Sequence, residues 1–362
     1  KSNQLAKEIG TLYKSGQAEK ANALKSQTTD LKTTGKDLQE KLQNIELALL
    51  SIRTQIPNVP DESVPSGNSE NENEEVFSAG TIPDLGENAL PHWDLAVKYD
   101  LIDFDLGSKI TGAGFPVYKG KGAKLQRALV QYFLDKNTAA GYKEFQVPHL
   151  VNEDSGFGTG QLPDKEGQMY QISEDGLYLI PTAEVPLTNL FRNQLLEAKD
   201  LPICLTSYTP CFRREAGSYG SNVRGLNRLH QFDKVEIVRL EEPQNSRMAL
   251  DKMINHIKGI LEELELPYRI LKLCGGELGF TAALTFDFEV YSTAQKRWLE
   301  ISSVSTFNSF QSERLQLRYK DGNGKKQSVH TLNGSSLALP RVVAGLLENQ
   351  QTPNGISIPK AL

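Results

Sequence analysis

The stretch from Ile203 to Leu240 constrains this chain most. It runs ICLTSYTPCFRRE, then AGSYGSNVRGLN, then RLHQFDKVEIVRL. The outer thirds carry the apolar and β-branched residues of strands. The middle third is punctuated by Gly217, Gly220 and Gly225, with Asn222 and Asn227 among them. This pattern predicts a strand, a mobile loop and a returning strand. Strand side chains alternate between faces. Arg213 and Glu215 therefore share one side of the first strand, and Arg228, His230, Phe232, Lys234 and Glu236 share one side of the second. Leu229, Gln231, Val235 and Ile237 point the other way. One face of one hairpin gathers arginines, carboxylates and an aromatic ring. Guanidinium forks bind phosphate through paired bonds and keep their charge. A ring stacks on a base, and carboxylates take an amine, a hydroxyl or a metal. The competing account of the same alternation is a solvated charged face of an antiparallel sheet.

The detailed strings go further. FRREAG followed by RGLNRLHQFDKVE resembles motif 2 of the class II aminoacyl-tRNA synthetases, and within that class the seryl-tRNA synthetases. Other stretches agree with this in order. An amphipathic helix over Ala123–Lys136, then a strand over Gly141–Val151 ending near Pro148, resembles motif 1, which in that family forms the dimer interface. LYLIPTAEV, Leu177 to Val185, reads as a strand rising to Pro181, and its TAE triplet resembles the loop that holds the amino group of serine. EISS, Glu300 to Ser303, is placed at a strand end. HTLNGSSLALPRVVAGLLENQ, His330 to Gln350, resembles motif 3: a strand closing at Asn333-Gly334-Ser335, then an amphipathic helix with Arg341 early in it. Pro340 stands where the family has glycine. Proline near a helix start needs no N–H partner, so the geometry is expected to survive.

The 362 residues suffice for one large domain with an extension. A net charge of −5 makes this no general polyanion binder, so any nucleic-acid contact must come from local basic patches. Cys204, Cys211 and Cys274 form no CxxC pair, and the five histidines show no ligand spacing. These features argue against a disulfide framework or a zinc site and favour a reducing cytoplasm. No apolar run is long enough to span a bilayer. The chain starts at Lys1 inside a helical pattern, which implies a preceding segment.

Up to about Ile56 the pattern is helical and polar. Leu5, Ile9 and Leu12 mark one stripe, and Lys14-Ser15-Gly16 breaks it. Leu24, Leu31, Leu38, Ile45 and Ile52 then recur every seven residues, with Leu42 and Leu49 between. A heptad seam of this kind predicts an antiparallel two-helix hairpin, in which each fully buried seam residue contributes roughly 1.5–3 kcal/mol. Lys7, Lys14, Lys20, Lys25, Lys32, Lys36 and Lys41 line the remaining surface, either as a solvated face or as a nucleic-acid grip. Gly35 and the pairs Thr28-Thr29 and Thr33-Thr34 lower helix propensity and predict local bending. Pro57 and Pro60 end the hairpin.

The resemblance implies an α+β chain: a two-helix coiled-coil arm at 1–57, then a class II catalytic domain at 58–362 with an antiparallel sheet flanked by helices. It implies activation of L-serine by ATP to seryl-adenylate and transfer of the seryl group to serine tRNA and selenocysteine tRNA by a cytoplasmic homodimer. Arg213 and Arg341 would be catalytic: Arg213 on the α-phosphate, Arg341 with Arg228 on the outer phosphates. The ATP set further holds Arg214, Glu215 on the adenine amino group, Leu229, Phe232 stacked on the adenine ring with Arg341 on the ring's other side, and Glu300, Ile301, Ser302 and Ser303. Glu300 and Ser303 would ligate Mg2+. Thr182 and Glu184 would bind the serine ammonium, Ala183 and Arg213 would complete the serine-binding set, and Glu236, with Asn333 and Ser335 near, would read the hydroxyl. Two other outcomes are weighed: a ligase that loads a carrier protein with serine, and a non-catalytic paralogue used as a binding module. The arm argues against the first, and the intact arginines and carboxylates against the second.

Overall fold

The computed structural model describes residues 2–165, 167–215 and 224–362. The chain divides into two compact units, Lys1–Pro57 and Asn58–Leu362. No helix among the described residues is long and apolar enough to cross a membrane. The loop read at 216–223, with Gly217, Gly220 and Asn222, lies outside the described residues.

The first unit is a helical hairpin of α1 (Ser2–Lys14) and α2 (Ala18–Arg53). Ala21 is fully buried, and Leu5, Ile9, Leu12, Leu24 and Leu31 are half-buried. Tyr13 donates to Asn22 Oδ1 at 2.6 Å across the turn. From Leu38 onward the heptad residues are exposed, Ile45 at 65 % and Ile52 at 62 %. At 1.5 Å per residue the described residues of α1 span about 20 Å and α2 about 54 Å. α2 is continuous through Gly35 and the threonine pairs. Thr28, Thr29, Thr33 and Thr34 each donate to the carbonyl four residues back, at 2.8 to 3.2 Å, so their hydroxyls are satisfied within the helix.

The second unit is built on a sheet. In chain order its strands are β1 (Glu74–Ala79), β2 (Lys143–Glu144), β3 (Ile203–Phe212), β4 (Gln231–Glu241), β5 (Tyr268–Lys272), β6 (Leu284–Ser292), β7 (Arg297–Asn308) and β8 (His330–Ala338). Across the sheet they lie β1-β5-β6-β7-β8-β4-β3-β2. Neighbours run antiparallel except β2 with β3. The helices used below are α3 (His92–Lys98), α4 (Gly120–Ala139), α5 (Glu184–Asn189), α6 (Ser246–Glu263), α7 (Phe310–Arg314) and α8 (Leu339–Asn349).

One face of the sheet is covered. Leu129 and Phe133 of α4, Ile257 and Leu261 of α6, and Val343 and Leu346 of α8 share a core with Val235, Ile237, Phe286, Phe288 and Val304. Each such side chain contributes roughly 1.5–3 kcal/mol on burial. The two-residue period then turns Lys234, Glu236, Thr285 and Asp287 to the opposite face, where they line a cleft. That second face is closed beside the cleft by Ala183 and Leu187 packing on Leu205 and Val238.

Several local expectations are corrected. Gly141–Val151 is not one strand but β2 and a short strand at Leu150–Asn152. The strand before the TAE triplet stops at Leu179, and Glu184 opens a helix. EISS lies within β7, not at its end, and Asn333 to Ser335 sit mid-strand in β8. Pro340 occupies the first turn of α8, where its missing N–H costs nothing.

Candidate functional site

A cleft of about 570 Å³ opens on the uncovered face of the sheet. Its lining draws on β4, β6, β7 and β8, on the segment before α5 and on the first turn of α8.

At one end the groups are buried and bonded to one another. Asn333 Nδ2 donates to Glu184 Oε2 at 2.7 Å and to Glu236 Oε1 at 2.9 Å. An amide nitrogen has two protons, so each carboxylate receives one. Gln311 of α7 donates to Glu184 Oε1 at 2.6 Å and accepts from Thr331 at 2.7 Å. Lys234 Nζ donates to Thr182 Oγ1 at 2.9 Å and lies 2.7 Å from Glu236 Oε2. That second approach is a charge contact without the alignment of a hydrogen bond. Glu236 is 1 % exposed. Ser335 stands directly across the strand pair from Glu236. Burial first, then the Glu236 carboxylate, push Glu184 up to about 7, because both effects penalise a second negative charge. This end holds two buried carboxylates and one buried ammonium, which pairs with Glu236.

The other end is looser. The Arg213 guanidinium sits 5.3 Å from the centre of the Phe232 ring, and its Nε donates to the Pro181 carbonyl at 3.5 Å. Arg228 Nη1 donates to Glu215 Oε2 at 2.8 Å. Arg341 Nε donates to the Asn227 carbonyl at 3.0 Å, and its Nη1 to the Glu300 carbonyl at 2.7 Å, with Glu300 Oε2 at 3.4 Å. Asp287 stands across from Ser303 in the β6–β7 register. Burial, then Glu300, hold its carboxyl well above the ordinary range, and its Oδ1 is buried without a hydrogen-bond partner.

The cleft thus brings together Thr182, Glu184, Arg213, Glu215, Arg228 and Leu229 with Phe232, Glu236 and Glu300, and with Ile301, Ser302, Ser303, Asn333, Ser335 and Arg341. Two residues of the expected set stand apart. Ala183 is fully buried in the core under α5. Arg214 is exposed, lines a separate hollow beside Asp164 and Tyr178, and gives its backbone N–H to the Gln168 carbonyl at 2.9 Å. His230 also leaves the shared face: it stacks on Phe115 at 5.3 Å, and its Nδ1 lies 2.9 Å from the Tyr170 hydroxyl.

Residues 169–350 match the family model of the tRNA synthetase class II core domain (G, H, P, S and T), and residues 1–60 match that of the seryl-tRNA synthetase N-terminal domain. The serine–tRNA ligase of Salinibacter ruber is 50 % identical over 99 % of this chain and 85 % of its own length. The chain belongs to the seryl-tRNA synthetase family. A second relative, the serine–tRNA ligase of Nautilia profundicola, is 48 % identical over 99 % of this chain and 86 % of its own length. Among solved structures, the seryl-tRNA synthetase from Pyrococcus horikoshii complexed with ATP is 30 % identical, covers 99 % of this chain and 85 % of its own, and superposes with a TM-score of 0.91.

The motif resemblance assigns no role to three residues of this site. Lys234 stands between Phe232 and Glu236 on the face that the strand period picks out. Asp287 alternates with the core residues Phe286 and Phe288, which already turns it outward. Gln311 had no such signal, because only the tertiary fold brings α7 to Glu184.

Proposed function

We propose that this cleft binds L-serine at its buried end and ATP at its looser end, and that the arm grips the tRNA. The chemistry is that of a class II serine–tRNA ligase. The serine carboxylate attacks the α-phosphorus, pyrophosphate leaves, and the seryl group then passes from the adenylate to the terminal ribose of serine tRNA. No protein nucleophile is required, so the side chains act by positioning and by charge.

The observation that carries the serine assignment is the pair Glu184–Glu236 bridged by Asn333, with Lys234 against Glu236. A buried site with two carboxylates and one ammonium favours a ligand that brings a second ammonium. Glu184 with Thr182 receives that ammonium, and Glu236 with Ser335 takes the hydroxyl. Arg213 then lies where the serine carboxylate meets the α-phosphate. Arg228 and Arg341 take the outer phosphates by exchanging their contacts with Glu215 and Glu300. Phe232 offers the stacking surface, and Glu215, once released, accepts from the adenine amino group. The oxygen donors of Glu300 and Ser303, beside the unpartnered Asp287 Oδ1, fit a hard divalent cation. Mg2+ held there would neutralise phosphate charge. Amino-acid-dependent pyrophosphate exchange tests the reading. Exchange with serine far above all other amino acids is expected, and a different preferred amino acid overturns it.

The arm's Lys7, Lys14, Lys20, Lys25, Lys32, Lys36 and Lys41 are all exposed, which suits contact with phosphates of serine tRNA and, by the same grip, selenocysteine tRNA. Removing residues 1–56 should leave pyrophosphate exchange intact and abolish tRNA charging, with binding by the whole chain falling as salt rises. Undiminished charging by the truncated chain rules the arm out. A homodimer through the α4–β2 region accords with β2 ending the strand order, and the mass in solution tests it.

A further inference from the structure

A buried chain of polar contacts outside the residues assigned above runs from α3 to Arg341. His92 opens α3, Glu348 lies near the end of α8, and neither side chain is exposed. Glu348 Oε1 accepts the His92 backbone N–H at 2.9 Å and lies 2.7 Å from ring Nδ1. Ser292 donates to Oε2, and Gln295 to Oε1 at 3.0 Å. The other ring nitrogen, Nε2, accepts the backbone N–H of Leu226 at 2.8 Å. A nitrogen that accepts carries no proton, so this network assigns the ring proton to Nδ1, facing Glu348.

The contact with Leu226 is close by construction. Gly225 has φ +68°, and a Cβ there would lie 2.3 Å from His92 Nε2. Only glycine lets the chain cross the ring in this conformation. One residue beyond Leu226, Asn227 gives its amide to Gln295 Oε1 at 2.9 Å, and its carbonyl takes Arg341 Nε at 3.0 Å. Arg341 and Glu348 lie on the same helix. The path from Glu348 through His92, Leu226 and Asn227 therefore returns to α8 at its cleft end.

We propose that His92 is a positioning residue for ATP. Through Leu226 it holds residues 225–227, and through the Asn227 carbonyl it sets the direction in which Arg341 extends into the cleft. The inference rests on the reading of Arg341 as an ATP ligand. A role confined to packing α3 on α8 would need the Glu348 contact but not the one to Leu226.

Two variants separate those bonds. His92→Asn keeps a donor where Nδ1 stands and loses the acceptor for Leu226. His92→Gln keeps an acceptor where Nε2 stands and loses the donor to Glu348. Serine-dependent pyrophosphate exchange is measured at varied ATP and varied serine, with thermal melting of each variant. His92→Asn should raise the ATP KM roughly tenfold, the size of one lost buried hydrogen bond, and keep the serine KM within about twofold. His92→Gln should stay near the parent in ATP KM even if its melting temperature falls. Equal ATP KM in the two variants, or parallel rises for ATP and serine, overturns the proposal. Arg341→Lys is the control. If it leaves the ATP KM unchanged, the ATP reading of Arg341 fails; if it raises the ATP KM and His92→Asn does not, the role of His92 alone fails. Should a variant not fold, hydrogen exchange on the unaltered chain decides. A Leu226 amide protected without ATP supports the proposal, and exchange at the rate of an unstructured amide overturns it.

Discussion

Glu184, Glu236 and Lys234, with the half-buried Asn333, occupy one end of the cleft as a closely bonded set, whereas at the other end Arg228 is 47 % and Glu300 49 % exposed, each with a partner of opposite charge. The difference is energetic. A surface ion pair such as Arg228–Glu215 is worth about 0–1 kcal/mol, so an incoming anion would exchange it cheaply. A buried polar group left without its partner costs roughly 1–3 kcal/mol, so the first end suits a ligand that restores every bond. On the proposed reading, selectivity for serine belongs to the first end and adaptability to ATP to the second.

The sharpest test of that contrast is Glu236→Ala, assayed with serine and alanine side by side. A pocket whose buried groups require a hydroxyl discriminates by roughly 10⁴–10⁵. Serine activation should fall by orders of magnitude while alanine activation changes little. The pairing of Glu236 with Lys234 supplies the competing account, a structural ion pair, and equal loss for both amino acids would favour it.

Arg213→Ala comes next. Removing one preorganised charge donor costs about 2.7–4 kcal/mol of transition-state stabilisation, read as the drop in pyrophosphate exchange with the fold retained. Near-parent exchange would remove Arg213 from the chemistry.

Glu184 gives a smaller, pH-dependent effect. Burial and the Glu236 carboxylate push its carboxyl up to about 7 in the folded protein, above the ordinary carboxyl range of the unfolded chain. The folded state therefore keeps a proton that the unfolded state has lost, and this group makes stability fall as pH rises across that window. Serine binding runs the other way, because an ammonium needs the carboxylate. The serine KM should rise as pH falls below about 7, approaching tenfold per unit, while the ATP KM stays level. Glu184→Gln should flatten both dependences. A serine KM independent of pH between 6 and 8 would contradict the assignment, that interval being about one unit either side.

Glu215→Gln should change least. Folding stability should move by less than about 1 kcal/mol, since the pair with Arg228 is partly exposed. Discrimination between ATP and GTP should weaken measurably; unchanged discrimination would place the base-reading group elsewhere.

The same contrast explains what was legible before the fold was known. Phe232, Lys234 and Glu236 share a face because strand period is two, a property any reader of the string can apply. Ala183 and Arg214 were carried into the site as members of matching triplets. The backbone turns them away, one into the core beneath α5 and one toward Gln168. Asp287 was legible as the polar alternate of Phe286 and Phe288. Gln311 was not, since its bond to Glu184 spans a long stretch of chain and depends on how α7 docks. In the arm, the heptad period located α2 correctly.

The division into two units has a thermodynamic consequence. Each is compact by itself, so heating should melt them as separate transitions. A calorimetric scan of the whole chain would then show a van't Hoff enthalpy below the measured one. The free energy of unfolding is two quantities, one for each unit, and a mutation in the cleft should shift only the second.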